Sequence, residues 1–286
     1  MTWTIEDKQV LITGANSGIG LATAAELARQ GAHVTITARD EAKGAAAVDR
    51  IHSDTGVEVE LGDLDLSHLD SVRSFAEHYL ARHDRLDVLV NNAGVMAGSR
   101  RQTTDGLEWT IGVNHLGPFL LTNLLSDLLV ASAPARIVNV SSETHRSVKA
   151  GLDIDDLQMT SGYSSSKAYA ASKLANILFT VELDRRLGPA GITARALHPG
   201  VVATDFGKGP DSPRGMGVAM TLLKPFLRKP SRGAATSVLL ATADDDLLQA
   251  GLYWSDEAPK EPAPAALDPD AAARLWTESE HLAGIA

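Results

Sequence analysis

TGANSGIG, Thr13 to Gly20, decides the fold. It follows an apolar run of strand length (VLIT, within Lys8–Gly14) and opens into a helical pattern that continues to about Gln30. Gly14 permits a tight turn, and Gly18 and Gly20 let backbone approach a pyrophosphate and let the helix pack on its sheet. The helix N-terminus offers free N–H groups and a positive dipole end to phosphate. Glycine turns before helices are common, so the weight lies in the strand before and the helix behind.

Outward from this turn, runs of strand length alternate with helical patterns. His33–Ala38, Val57–Leu61, Leu86–Val90, Arg136–Val140, Ile192–Leu197 and Gly251–Trp254 read as further strands. Between them come an Ala-rich helix, a helix over Ser67–His83 with Ser67 as N-cap, and a mostly helical stretch over Asp105–Val130. A helix over Ser164–Leu187 stops at Gly188-Pro189, and another covers Ser231–Ala243. The alternation predicts an α/β chain: one Rossmann-type, doubly wound parallel sheet of about seven strands with helices on both faces. Residues 1–286 form a single domain, with a loop insertion at 204–230 and a C-terminal strap and helix at 258–286. A long insertion after a strand end in such a sheet usually forms part of the ligand site. The strap, Ala258–Pro269, is rich in Pro and Ala and reads as a surface segment.

Composition narrows the function. Hydrophobic residues are 44% and charged residues 22% of the 286, as in an ordinary soluble globular protein. A net charge of −10 argues against a nucleic-acid partner and against anionic lipid. There is no cysteine, so thiolate catalysis and cysteine-bound zinc are excluded, and the nine histidines show no metal-ligand spacing; no metal is expected. His115 and His198 read as packing or satisfied hydrogen-bonding residues. The N-terminus lacks the apolar core of a signal peptide and no run is long enough to span a membrane, so a cytoplasmic protein without membrane contact is expected.

The glycine spacing is GxxxGxG rather than GxGxxG, a variant that resembles the short-chain dehydrogenase/reductase family. NNAG at Asn91–Gly94, Asp65-Leu66 after the third strand, and Pro199-Gly200 with Val202 and Thr204 resemble further family segments in family order. The resemblance implies a nicotinamide dinucleotide held by Gly14, Asn16, Ser17, Gly18, Ile19 and Gly20 at the pyrophosphate. It implies Asp65 and Leu66 at the adenine, Asn92, Ala93 and Gly94 along the adenosine side, and Pro199, Gly200, Val202 and Thr204 at the carboxamide. In dinucleotide enzymes an acidic residue ending the second strand binds the ribose 2′-hydroxyl and repels a 2′-phosphate. Here the eighteenth residue after Gly20 is the neutral Ala38, followed by Arg39, which can pair with a phosphate. NADP(H) is the favoured reading and NAD(H) the open alternative; Asp40 reads as the N-cap of the next helix.

Interconverting an alcohol and a carbonyl needs a proton donor and acceptor beside the cofactor. Tyrosine, with a reference pKa of about 10, can serve if an ammonium sits near it. Y-x-x-x-K places a lysine on the same helical face, and the sequence holds two such pairs, Tyr163/Lys167 and Tyr169/Lys173. Six residues apart on a helix, the tyrosines point about 240° from each other, so only one can face the cofactor. Ser164–Ser166 suit a helix start, which leaves Tyr163 at or before it. The family places its Pro-Gly segment about thirty residues after its tyrosine; Tyr169 precedes Pro199 by thirty, and KLANILFTVELDRRL resembles the sequence after the family lysine. Tyr169 is therefore chosen as catalytic, with Lys173 also bonding the nicotinamide ribose by resemblance. Ser141 and Ser142 both follow RIVNV, and the family resemblance implies the second of them, Ser142, as the group that holds the reacting oxygen. Asn114, in VNHLGPF, resembles the family asparagine that anchors a water linking the lysine to solvent. Asn139 formally matches a glycosylation acceptor, but a buried strand is no place for one.

NNAGVMA, VNHLGPFLLTNLL, HPGVVATDF and the tail from GLYWSDEA resemble the branch that holds the retinol dehydrogenases and the WW-domain oxidoreductase. The resemblance implies an oxidoreductase acting on lipophilic aldehydes, ketones or alcohols, and a homodimer or homotetramer that pairs the helices after the fourth and fifth strands. A protochlorophyllide reductase reading is weakened by the absence of cysteine. Two rivals differ in class. A catalytically silent NADP-binding sensor or scaffold would usually lack the tyrosine or lysine, and an epimerase or dehydratase needs a larger C-terminal domain.

Overall fold

The computed structural model describes residues 3–202, Pro213 and 227–286. Most of the 204–230 insertion, Thr204 included, therefore lies outside the described residues. Strand β1 (Gln9–Ile12) leads through the glycine turn into α1 (Gly18–Arg29), then β2 (His33–Ala38), α2 (Glu41–Thr55), β3 (Glu60–Asp63), α3 (Leu69–Arg82) and β4 (Val88–Asn91). After β4 come α4 (Trp109–Ile111), a π-helical turn (Gly112–Leu116), α5 (Gly117–Leu124), α6 (Ser126–Ala131) and β5 (Ala135–Val140). A 3-10 turn (Glu143–Ser147), the long α7 (Ser165–Leu187) and β6 (Ile192–His198) follow. The chain closes with α8 (Pro230–Thr242), α9 (Asp245–Leu248), β7 (Tyr253–Ser255), β8 (Ala258–Pro259) and α10 (Pro269–Ala283).

Among the described residues the sheet has eight strands in the order β3-β2-β1-β4-β5-β6-β7-β8. All neighbours pair in parallel except β7 and β8, which are antiparallel. The order reverses between β1 and β4, and a crevice at the C-terminal ends of strands opens at such a point. β4 and β5 are buried at every position, as strands covered by helices on both faces must be. One apolar cluster joins α1, α2 and α8 to one face, and a second joins α3, α5 and α7 to the other.

Several expectations need correction. The sheet gains β8, whose Pro259 sits on an edge where its missing N–H costs nothing. The strap beyond it is no mere surface segment, because Ala263 and Ala266 are buried. The third strand is Glu60–Asp63 rather than Val57–Leu61: the pairing of Thr35 with Glu60 and Ala38 with Asp63 overrides the local alternation. Ser67 does not cap α3, which starts at Leu69 after His68. Its hydroxyl instead donates to Asp65 Oδ1 at 2.7 Å.

The C-terminal helix α10 forms an outer layer. Trp276 packs edge-on to Phe119 of α5, with ring centroids 5.0 Å apart, and 5.8 Å from Phe179 of α7. The Arg186 guanidinium lies 4.3 Å from the same ring. Arg73 of α3 donates to the Ala283 carbonyl at 2.7 Å, tying the end of α10 down. The helix thus packs on α5 and α7 within one chain. Trp276→Ala is expected to destabilise the protein by about 3–5 kcal/mol, as loss of a buried aromatic does, read from the denaturant midpoint.

Candidate active site

The glycine turn and the end of β4 are stitched together. Thr13 N–H donates to the Val90 carbonyl at 3.0 Å, and its hydroxyl accepts from Asn92 N–H at 3.0 Å and Ala93 N–H at 3.2 Å. The Asn92 amide returns to the Thr13 and Gly14 carbonyls at 2.8 and 3.2 Å. Gly14 has φ +63°, and a Cβ there would stand 2.8 Å from Ala93 Cα. A Cβ on Gly20 would stand 2.4 Å from the Asn92 amide nitrogen. Ser17 precedes α1 without capping it through its side chain, and the first turn carries no acid. Asn16, Ser17, Gly18 and Ile19 are all part-exposed around this turn. The cradle therefore presents main-chain donors and no repelling carboxylate to an anion.

At the ends of β2 and β3, Asp40 caps α2 by accepting from Lys43 N–H at 3.0 Å. Arg39 is exposed beside it. Burial opposes ionisation of Asp65, but the Ser67 hydroxyl and N–H, His68 and Arg39 outweigh it and hold the carboxyl below its ordinary range. Arg39 and Asp65 are thus neighbours, and Leu66 is buried with its carbonyl against Gly117.

The chemical end is built from β4, β5 and α7. Lys173 is buried, and its ammonium donates to the Val140 carbonyl at 3.0 Å and lies 5.6 Å from the Tyr169 ring centre. Gly94 and Asn114 adjoin it: a Cβ on Gly94 would be 3.3 Å from Lys173 Nζ and 3.7 Å from Asn114 Oδ1. The Asn114 side chain is held by Val95 N–H, the Val95 carbonyl and Ser172 Oγ, at 2.7, 2.9 and 2.9 Å. Asn114 lies in the π-helical turn, and Pro118, four residues later, has no N–H to offer an α-helical bond. Ser141 donates to the Lys173 carbonyl at 2.6 Å, and the Ser142 hydroxyl shares a hydrogen bond with Tyr169. Tyr163 stands before α7, donates to the Ala97 carbonyl at 3.2 Å, and has its partner Lys167 exposed. Pro199, Gly200 and Val202 follow β6, with Val202 buried against Gly233.

The model of the short chain dehydrogenase family matches residues 8–213. The chain belongs to the short-chain dehydrogenase family. Human retinol dehydrogenase 13 is 45% identical over 288 residues, covering 99% of this chain and 86% of the relative. Mouse retinol dehydrogenase 12 is 46% identical over 282 residues, covering 98% and 88%. A solved structure of an uncharacterized protein from Mycobacterium paratuberculosis superposes with a TM-score of 0.73 at 37% identity, covering 99% and 98%. A short-chain dehydrogenase from Sphingobium yanoikuyae in complex with NADPH gives 0.64 at 26% identity, covering 81% and 83%. This short-chain dehydrogenase is thus an oxidoreductase acting on CH–OH groups, and it resembles the retinol dehydrogenase-like branch.

Two participants in the dehydrogenase's site were not singled out from sequence. Thr13 is the hub of the β1–β4 stitch, and nothing but its place before Gly14 marks it. His145, three residues beyond Ser142, is fully buried and bonds the Ser142 carbonyl. Burial pushes Tyr169 up to about 12, only partly offset by Ser142. Burial pushes Lys173 down to about 8. The protein's own groups therefore leave Tyr169 a neutral phenol.

A depressed lysine pKa has a definite sign in stability. Between about 8 and 10.5 the unfolded chain keeps a proton that the folded chain has released, so folded stability rises with pH across that window. Lys173→Met removes this dependence, and the Val140 carbonyl keeps a donor in Asn176 at 3.2 Å. Denaturant unfolding at several pH values should show the parent gaining on the variant by roughly 1.4 kcal/mol per pH unit in the window. Parallel slopes would contradict a depressed Lys173.

Proposed function

We propose that the protein is an NADP(H)-dependent oxidoreductase interconverting a lipophilic alcohol and its aldehyde or ketone. The observation that carries the reading is the joining of Ser142, Tyr169 and Lys173 beside Asn114 and Gly94, at the strand ends that also carry the glycine turn. A nicotinamide dinucleotide fits this edge. Gly14 and Gly20 leave room that a Cβ would fill, and α1 opens toward it without a side-chain cap. When bound, the nicotinamide supplies or accepts the hydride.

The chain's own residues handle the oxygen and the proton. Ser142 donates to the carbonyl oxygen and holds it beside the Tyr169 hydroxyl. A phenol pushed up to about 12 keeps its proton at neutral pH and surrenders it to an alkoxide forming within hydrogen-bond reach. Lys173, anchored on the Val140 carbonyl, keeps positive charge next to Tyr169 and stabilises the phenolate that results. Asn114, which adjoins Lys173 across Gly94, would anchor the water that resupplies the proton through Lys173, as the family resemblance implies. The retinol dehydrogenases named above support a lipophilic substrate class.

For the cofactor, the neutral Ala38, the exposed Arg39 and the capping engagement of Asp40 favour a 2′-phosphate over a 2′-hydroxyl. The NADPH complex of the Sphingobium relative agrees with that choice. No helix among the described residues is long and apolar enough to cross a membrane. A homodimer or homotetramer belongs to this proposal on the family resemblance alone.

Two measurements test the reading. Across a panel of short and long apolar carbonyls with NADPH consumption as readout, Tyr169→Phe should lose turnover by at least about a thousandfold while still binding NADPH. Tyr163→Phe is the matched control and should retain turnover; full activity in Tyr169→Phe would sink the assignment. In titrations of cofactor fluorescence, the parent should prefer NADPH to NADH, and Arg39→Ala should weaken NADPH by about tenfold or more with little effect on NADH. Equal affinities in the parent would refute the 2′-phosphate argument.

A further inference from the structure

His145 lies fully buried in the 3-10 turn that follows Ser142, and both of its ring nitrogens are engaged. Nδ1 is 2.7 Å from the Ser142 carbonyl oxygen, which can only accept. Nε2 is 3.0 Å from the backbone N–H of Ala263, which can only donate. The two contacts fix the ring as neutral, with its hydrogen on Nδ1. The His145 backbone N–H also reaches the Ser142 carbonyl, at 3.1 Å, so one residue supplies both donors to that oxygen. Ala263 belongs to the strap between β8 and α10, whose Pro262, Ala263 and Ala266 are buried. The next residue in the turn, Arg146, holds the strap too, by donating to the Glu261 carbonyl.

We infer that His145 is a positioning residue: a clasp between the C-terminal strap and the backbone of Ser142, which sets where the Ser142 hydroxyl meets Tyr169 and opens when the imidazole gains a proton. A second ring hydrogen would put Nε2–H against the Ala263 N–H, donor facing donor, and the strap would be pushed from the turn. The groups around the ring are Glu143 and Arg146 on its own turn, Tyr253 of β7 in edge contact at 5.2 Å, and His198 at the end of β6. From α7 the titratable group at this turn is Tyr169, which meets Ser142. Burial and Arg146 disfavour the charged ring while the Ser142 carbonyl and Glu143 favour it, and the balance lies below the ordinary histidine value. The clasp is therefore closed at neutral pH and opens only in acid.

The inference rests on Ser142 as the oxygen-holding group, so its test has an arm without turnover. Ring-15N-histidine NMR of the intact protein, with His145→Asn identifying the signal, should show a neutral ring with hydrogen on Nδ1 and slow exchange of the Ala263 amide, both lost together in acid. Hydrogen on Nε2, or a charged ring at neutral pH, would overturn the clasp. In turnover with NADPH, His145→Ala should lower kcat about tenfold with KM within about twofold. His145→Asn keeps a donor for the Ser142 carbonyl and cannot titrate, so it should recover most of that loss and lack the acid fall in kcat seen in the parent. An acid fall that persists in His145→Asn, or no rescue by it, would also overturn the clasp. The expected ring state without turnover of any carbonyl would count against the oxidoreductase reading and not against the clasp.

Discussion

The chain's chemistry depends on how closely two pieces of backbone approach where the strand order reverses. α1 reaches the sheet only because Gly20 has no side chain, since a Cβ would fall 2.4 Å from the Asn92 amide. That amide is itself committed to the Thr13 and Gly14 carbonyls, so it cannot swing aside without leaving buried acceptors unpaired. The glycine turn, the end of β1 and the end of β4 therefore form one rigid unit. Whatever binds the turn is placed in fixed relation to Gly94, and Gly94 adjoins Lys173.

A second constraint carries that placement to the chemical end. Asn91 of β4 donates to Thr122 of α5 and to Asn139 of β5, and Asn139 donates to Thr180 of α7, at 3.1, 2.9 and 2.9 Å. These polar groups are buried, and each lost partner would cost about 1–3 kcal/mol. The chain of bonds fixes the rotation of α7 against β5. A slip of one residue would turn the helix by about 100° and take Tyr169 away from Ser142. Buried polar groups here specify geometry in a way that an apolar contact, tolerant of sliding, would not.

Much of this was legible because it rests on local pattern. TGANSGIG between a strand and a helix, and a tyrosine with a lysine four residues on, are short-range signals, and both lie where that pattern placed them. Three serines make a poor helix interior and so put Tyr163 at or before a helix start, and α7 begins at Ser165. What was not legible depends on partners distant in sequence. The position of β3 is set by its register with β2, and β8 exists only because β7 offers an edge. Ser67 looked like a cap because a serine before a helix usually is one; a carboxylate two residues earlier took its hydroxyl instead. His145 meets Ala263, 118 residues away, and no spacing announces that contact.

The two central side chains are driven in opposite directions by one cause. Burial penalises whichever form is charged, so it raises the phenol of Tyr169 and lowers the ammonium of Lys173. Left to these groups, Tyr169 stays a phenol at neutral pH, the form the proposed reduction needs as its proton donor. To work in the other direction the same phenol must ionise, which needs positive charge beyond what Lys173 provides. An oxidised nicotinamide carries that charge and a reduced one does not. In the proposed reaction a bound oxidised nicotinamide would add its charge to that of Lys173 beside the same phenol, and burial of the pair would make Tyr169 sensitive to it.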